Sequence, residues 1–156
     1  MERINAKRIV SEGTMRLSAA PERVFPLLCP VREFDWIDTW AARIVYTDSG
    51  VAEEGCVFTT AEPDGSETVW TVSRYAPEAG AIEFVMVTPG LVATRLAITV
   101  RAEGEGAIAV WRRTFTALSP AGERAMTALA AHLPARLRRL DAQLDHYLRT
   151  GTALRS

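Results

Sequence analysis

The C-terminal part of the sequence carries one apolar stripe at helical spacing, and no other feature constrains the fold as strongly. Ser119 and Pro120 supply a helix N-cap and a first-turn proline. After them, apolar residues recur every three or four positions, which predicts a helix of about thirty residues with a kink at Pro134. Burying each such side chain contributes roughly 1.5–3 kcal/mol, so the helix is expected to pack on a large apolar surface. The stripe consists of Met126, Leu129, Leu133, Leu137, Leu140, Leu144 and Leu148.

The segment before this helix predicts a meander of antiparallel strands. Six β-rich runs follow one another, separated by short turn sequences rich in proline, glycine, aspartate and serine. Connections this short force antiparallel hairpins, because a parallel connection needs a crossover of about a dozen residues. The runs cover residues 43–48, 55–61, 68–76, 81–88, 92–101 and 107–118.

A seventh strand is expected over residues 8–17, where polar and apolar residues alternate towards the end. Pro21 then fits the first turn of a short helix, and a second short helical piece is expected over 31–37. The pattern predicts an α+β fold in which a seven-stranded curved antiparallel sheet wraps around the long C-terminal helix. The chain length fits one domain over 1–156, with a core from about residue 8 to 148.

Hairpin arithmetic predicts which strand positions share the face towards the helix. Symmetric turns at 104–105 and 63–66 bring apolar residues of neighbouring strands opposite one another, which supports the pairing. The predicted pairs are Leu96 with Arg113, Ile98 with Trp111, and Phe58 with Trp70. This face and the helical stripe together predict an apolar cavity. The side chains expected to line it are Trp36, Trp40, Tyr46, Phe58, Trp70, Leu96, Ile98, Trp111, Arg113, Phe115, Met126, Leu129, Leu133 and Leu137.

The strand over 81–88 leaves the orientation of its side chains open. A tight turn after it places Glu83 and Val85 inward and exposes Phe84 and Met86, whereas a bulge reverses the choice. If Glu83 faces inward, it lies beside Arg74 and Arg113 and the three form a polar cluster.

Arg113 is the polar residue of the inner face with the clearest chemistry. A buried guanidinium must be paired or hydrated, so it either orients a ligand carbonyl or carboxylate or forms a structural pair with Glu83. Arg113 and Glu83 are therefore the candidates for catalysis. Glu33 and Asp35, beside Trp36, offer a second source of an acid or base, but charges on short helices usually face water, and we favour that structural role.

Composition and charge exclude several classes of function. The 18 basic and 19 acidic residues nearly cancel, which removes the basic surface that nucleic-acid binding needs. The apolar runs are too short to span a membrane. Two cysteines and two histidines at scattered positions match no ligand spacing, so no metal and no cofactor is expected. Residues 1–5 lack the apolar stretch of a secretory signal, which predicts a cytoplasmic protein.

The order of the elements and two local motifs resemble the SRPBCC (START-like) superfamily, whose members share the helix-grip fold. Residues 20–25, Ala-Pro-Glu-Arg-Val-Phe, are similar to the start of many members. Residues 29–40, Cys-Pro-Val-Arg-Glu-Phe-Asp-Trp-Ile-Asp-Thr-Trp, resemble a segment found in a bacterial subgroup. The resemblance covers about residues 8–148. It implies a deep cavity between sheet and helix that binds hydrophobic ligands, without implying any one reaction.

Three functions are consistent with these observations. The first is binding of a hydrophobic small molecule, such as a lipid, polyketide or aromatic compound, in the internal cavity. The alternative is a polyketide cyclase-, dehydratase- or aromatase-like enzyme, which needs at least two titratable groups in the cavity. The third is a co-chaperone-like interaction domain with an exposed apolar patch, for instance Phe84 and Met86. No nucleic-acid or integral membrane partner is expected, and the oligomeric state stays open, a homodimer included.

Overall fold

Seven antiparallel strands form one curved sheet in the computed structural model, which describes residues 5–155. Their order across the sheet is β1-β7-β6-β5-β4-β3-β2, so the strands follow the chain as a meander and β1 closes onto β7. The predicted fold class is confirmed. The strands are β1 (Arg8–Leu17), β2 (Ala42–Tyr46), β3 (Val57–Ala61), β4 (Glu67–Ala76), β5 (Ala81–Thr88), β6 (Val92–Glu103) and β7 (Gly106–Ala117).

Helical segments cover one face of this sheet. After β1 come the short helix α1 (Pro21–Val24) and two 3-10 turns, Phe25–Leu27 and Arg32–Asp35. The long helix α2 (Pro120–Thr150) ends the fold and packs chiefly on β1, with further contacts to β7 and β6. No helix within residues 5–155 is both long and apolar enough to cross a lipid bilayer. The prediction that no secretory signal is present rests on residues 1–5, of which residues 1–4 lie outside the described part of the chain.

Both ends of α2 are fixed by local hydrogen bonds. The Ser119 hydroxyl accepts a hydrogen bond from the Gly122 backbone N–H at 3.1 Å, which satisfies one of the free donors of the first turn. At the other end Gly151 adopts φ 72°, a left-handed conformation that suits glycine, and its N–H donates to the Tyr147 carbonyl at 2.7 Å. Between these caps the helix continues through Pro134.

The predicted strand registers are confirmed where tight turns set them. In the β6–β7 hairpin Leu96 lies opposite Arg113 and Ile98 opposite Trp111. Because side chains alternate along a strand, this register places Trp111, Arg113 and Phe115 on the inner face of β7. The predicted pairing of Phe58 with Trp70 between β3 and β4 is confirmed as well.

A bulge in β2 overturns the expected orientation of Tyr46. Ile44 lies opposite Phe58, but Tyr46 lies opposite Val57, so the register shifts by one residue between them. A shift of one residue moves a side chain to the other face of the sheet. Tyr46 is consequently 55% exposed and donates a hydrogen bond to Asp48 at 2.6 Å, so its expected place in the cavity wall is wrong.

The pairing of β4 with β5 also contains a register shift, between Val72 and Arg74. The sequence left open which side chains of β5 face inward, and the structure resolves this. Phe84 and Met86 face inward and are buried. Glu83 faces the other side of the sheet, where its carboxylate accepts a hydrogen bond from Arg95 at 2.7 Å. Glu83 and Arg113 therefore lie on opposite faces of the sheet, and the predicted polar cluster does not form.

Two apolar clusters make up the core. The larger one joins the central strands to α1, the 3-10 turns and the C-terminal half of α2. The smaller one lies under the N-terminal half of α2 and contains Val92, Phe115, Ala117 and Met126. Leu129 lies at the edge of the helical stripe and is 43% exposed, so its expected place in the cavity wall is also wrong.

Candidate functional site

A cleft of about 210 Å³ opens between α2 and the edge strand β1. Its floor comes from the inner face of β7, and its sides come from β1 and from the middle of α2. Leu133 and Leu137 supply an apolar wall on the helix. The cleft is lined by Ser11, Glu12, Gly13, Thr14, Trp111, Arg113, Leu133, Pro134, Leu137, Arg138 and Asp141.

Gly13 sets how closely α2 approaches β1 beside the cleft. A Cβ atom at this position would overlap with the Leu137 Cδ2 atom. The missing side chain thus lets Leu137 reach over β1 and join the larger apolar cluster. Helix α2 therefore packs closely on β1 at Leu137, whereas residues 127–129, nearer its N-terminus, are exposed.

Arg113 is the buried cation of the site. Its residue surface is only 9% exposed, yet its guanidinium donates no hydrogen bond to any residue in the described range. Its nearest aromatic neighbour is the Trp111 ring, whose centroid lies 5.6 Å from the guanidinium carbon. Burial, and then the Arg136 cation, lower the pKa of Arg113 to about 10, so the group stays charged at neutral pH.

Trp111 contributes a second donor without an acceptor. The other three indole N–H groups each donate to an oxygen at 2.8–2.9 Å, namely those of Trp36, Trp40 and Trp70 to Leu27, Pro30 and Thr60. The Trp111 Nε1 atom is buried and is the only such side-chain nitrogen or oxygen among residues 5–155 that lacks a partner. Buried polar groups are nearly always hydrogen-bonded, so this exception needs an explanation.

Glu33 is the carboxylate that acts on Arg113. It lies in the 3-10 turn Arg32–Asp35 and is partly buried. Burial raises the pKa of the Glu33 carboxyl to about 7, against the opposing effect of the Arg136 and Arg113 cations. No hydrogen bond joins Glu33 to Arg113, so the two interact through space.

The sequence pointed to a different residue for this role. It favoured a solvated role for Glu33 and offered Glu83 as the partner of Arg113, whereas the structure places Glu33 near Arg113 and Glu83 on the other face of the sheet. Side-chain periodicity could not show this, because residues 25–40 form short turns without a repeating face. The useful signal is the pair of tryptophans, Trp36 and Trp40, whose indole hydrogen bonds fix this segment.

The predicted lining residues fall into three groups, and four of the fourteen line the cleft: Trp111, Arg113, Leu133 and Leu137. Eight others do not line the cleft and belong to the two apolar clusters or pack against them. Phe58 and Trp70 stack there with ring centroids 5.1 Å apart, against Trp40 and Phe84. Tyr46 and Leu129 are exposed. The eight interior residues are Trp36, Trp40, Phe58, Trp70, Leu96, Ile98, Phe115 and Met126.

The two cysteines lie in the interior as free thiols. Cys29 and Cys56 are both buried and free, and burial raises the pKa of each thiol. Within the described part of the chain, no three His, Cys, Asp or Glu side chains come together in a way that could hold a metal ion.

The fold and the sequence together place the chain in a family. The model of the family described as "Polyketide cyclase / dehydrase and lipid transport" matches residues 8–146, and the chain belongs to this family. The resemblance to the SRPBCC superfamily is thereby confirmed. No curated protein compared with the chain matches it significantly in sequence.

Solved structures share the fold at low sequence identity. Truncated norcoclaurine synthase from Thalictrum flavum gives a TM-score of 0.68 at 12% identity, over 96% of this chain and 98% of that one. Ara h 8.0201 gives 0.67 at 14% identity, over 92% and 99% of the two chains. DynU16, from the dynemicin biosynthetic locus, gives 0.65 at 16% identity over 92% of this chain, which spans only 48% of DynU16. Identities this low show a common fold alone.

Proposed function

We propose that the chain binds an apolar small molecule in the cleft between α2 and β1. The observation that carries this proposal is the composition of the cleft: apolar walls around Arg113, a buried cation without a hydrogen-bond acceptor. Such a pocket, mostly apolar with a few placed polar groups, is typical of small-molecule sites. Membership of a family described by polyketide cyclisation and lipid transport supports the same function.

The size of the cleft limits the ligand. Its volume of about 210 Å³ is below the roughly 300–1,000 Å³ of drug-sized pockets. The ligand is therefore expected to be a one- or two-ring compound or a short aliphatic chain, and part of it remains outside. A larger ligand would require α2 to move away from β1.

The fluorescence of the neutral dye N-phenyl-1-naphthylamine tests this proposal. We expect saturable binding at one site per chain. Filling the cleft by Leu133→Trp should weaken the dye by about tenfold or more, because the indole occupies the same space. The matched control is Leu129→Trp, at an exposed position of the same helix, and it should leave the affinity unchanged. Absence of saturable binding, or equal affinity in both variants, would overturn the proposal.

A cyclase-like reaction is the second candidate, and the electrostatic interaction between Glu33 and Arg113 favours it. Ring closure of a poly-β-ketone begins with removal of a proton from a carbon between two carbonyl groups. A carboxyl with a pKa of about 7 suits a general base at neutral pH. Arg113 would stabilise the negative oxygen of the resulting enolate, whose carbon then attacks a second carbonyl of the same chain. The alkoxide formed at that carbonyl takes the proton back from the Glu33 carboxyl, which restores the base.

A synthetic β-polyketone thioester tests this second candidate. Wild type should release cyclised product, and Glu33→Gln should lose most of the rate while it still binds the neutral dye. Equal product formation with wild type, with Glu33→Gln and without protein would rule out this reaction.

The third function considered from the sequence is a co-chaperone-like interaction domain. The interaction-domain hypothesis loses its basis, because Phe84 and Met86 are buried instead of forming an exposed patch. The cytoplasmic location, the homodimer and the single domain over residues 1–156 stay predictions from the sequence.

A further inference from the structure

Two side chains that line the cleft, Arg113 and Trp111, carry donors that have no hydrogen-bond acceptor among the described residues. Arg113 and Trp111 are two residues apart on β7, so both side chains point to the inner face. The guanidinium offers five N–H groups and the indole offers one. Buried donors are nearly always hydrogen-bonded in proteins, so neighbouring donors without an acceptor indicate that an acceptor binds there.

Arg113 lies among apolar side chains, so a ligand group that accepts its hydrogen bonds would have apolar surroundings. Trp111 and Leu137 belong to the larger apolar cluster, whereas Phe115 and Leu133 belong to the smaller one. Arg113 lies on β7 between Trp111 and Phe115, where the two clusters meet. A ligand group held by Arg113 would therefore have apolar side chains on both sides.

We propose that the ligand of the cleft is an apolar oxyanion, such as an aromatic or aliphatic carboxylate, which accepts hydrogen bonds from Arg113 and Trp111. The proposal rests on the proposed function, because it requires that the cleft binds a small molecule. It adds the chemical class of the ligand.

Two other carboxylates line the cleft, Glu12 and Asp141, but each interacts with another partner, so Glu33 is the carboxylate that acts on Arg113. Glu12 forms an ion pair with Arg112 at 3.5 Å. Asp141 accepts a hydrogen bond from the backbone N–H of Arg16. Their charges are thus directed to other partners. The charged groups that face Arg113 or line the cleft are Glu33, Arg136, Glu12, Arg138 and Asp141.

The protonation of Glu33 changes the net charge near Arg113 and therefore the attraction of an anion. Below its pKa of about 7 Glu33 is neutral, and Arg113 and Arg136 attract the anion. Above it Glu33 is ionised, offsets their charge and repels the anion. If a bound anion keeps Glu33 protonated, the affinity falls by about tenfold between pH 6 and pH 8, as linkage requires for one titrating group.

Two dyes that differ by one anionic group test the proposal. 8-Anilinonaphthalene-1-sulfonate carries a sulfonate on the ring system of the neutral N-phenyl-1-naphthylamine. The sulfonate stays ionised between pH 6 and pH 8, so any pH dependence arises from the protein. Fluorescence titrations of both dyes at several pH values give the two affinities, with circular dichroism as a check on folding.

Four variants separate the parts of the site. Arg113→Gln should weaken the anionic dye by about tenfold or more and the neutral dye by less than about threefold, because only the anion uses the charge. Trp111→Phe removes the N–H and keeps a ring, and it should weaken the anionic dye selectively. Glu33→Gln should bind the anionic dye with the same affinity at pH 6 and pH 8. Arg95→Gln, on the outer face of the sheet, is the control and should change neither dye.

The outcomes distinguish the two proposals. If neither dye binds saturably, the proposed function fails. If the neutral dye binds at one site while Arg113→Gln affects both dyes equally, the anion proposal fails and the proposed function stands. If Arg113→Gln does not fold, the anion proposal still fails when Trp111→Phe leaves the anionic dye unaffected and Glu33→Gln keeps the pH dependence of wild type.

Discussion

The four tryptophans differ in what their indole N–H groups bind, and this difference can be measured as stability. Trp36→Phe and Trp111→Phe remove the same atoms from two buried positions. Only Trp36 loses a hydrogen bond, to the Leu27 carbonyl at 2.9 Å, and leaves that carbonyl unsatisfied. We expect Trp36→Phe to lower the free energy of unfolding by about 1–3 kcal/mol more than Trp111→Phe does. Urea unfolding of both variants measures the difference; a larger loss in Trp111→Phe would show that its indole has a partner.

Glu33 predicts a pH dependence of stability. Its pKa rises from 4.5 to about 7 on folding, so the folded chain holds the proton more tightly than the unfolded chain. Stability relative to Glu33→Gln therefore falls as the pH rises from about 4.5 to about 7, and it stays constant above pH 7. Between pH 5 and pH 7 we expect a fall of about 2 kcal/mol.

Thermal or urea unfolding of wild type and Glu33→Gln in parallel measures this fall. The variant removes the titrating group and keeps the size of the side chain, so the difference between the two proteins isolates Glu33. Parallel pH profiles for the two proteins would contradict the burial of the carboxyl.

Asp38 connects the segment after α1 to the long helix α2 through hydrogen bonds. Its carboxylate accepts hydrogen bonds from Arg139 at 3.1 Å and from Gln143 at 2.6 Å, and the Gln143 residue is only 3% exposed. Asp38→Ala would leave the Gln143 amide buried without this acceptor. We expect a loss of about 1–3 kcal/mol in the free energy of unfolding.

Two further variants control the Asp38 prediction. Asp38→Asn keeps an acceptor for Gln143 and should lose less than Asp38→Ala. Arg149→Gln removes an exposed pair with Asp145 four residues away and should change stability by less than about 0.5 kcal/mol. Equal effects of all three substitutions in urea unfolding would show that Asp38 does not hold the helix.

The sequence predicted regular elements well because their local rules are strong. Tight turns determine the register of the β6–β7 hairpin, and the three- and four-residue spacing determines the buried face of α2. It could not predict the bulge in β2, because one extra residue costs little and leaves no mark in the pattern. Tyr46 therefore faces the opposite side from the one expected.

The candidate site was harder to predict than the strands around it. Arg113 and its inward orientation follow from the hairpin register alone. Glu33 does not, because its position depends on how residues 25–40 fold back over the sheet through irregular turns. Contacts far apart in sequence, such as those between this segment and the inner face of the sheet, decide its surroundings.

In the molecule as a whole, the aromatic residues under β3–β5 pack against one another and against the segment after α1. The proposed ligand cleft lies at the other edge of the sheet, between α2 and β1. Arg113 lies there between the two apolar clusters. The proposed binding of a ligand therefore depends on this cleft and on the buried Arg113 cation.

The side-chain N–H signals of the folded protein test this claim most directly. In a ¹H–¹⁵N correlation spectrum the four indole N–H groups and the Arg113 Nε–H group give separate resonances, which Trp111→Phe and Arg113→Gln assign. During titration with octanoate, a small aliphatic carboxylate, we predict saturable shifts of the Trp111 and Arg113 signals while those of Trp36, Trp40 and Trp70 stay in place. Saturable shifts confined to the other indoles, or no saturable shift at all, would contradict the account.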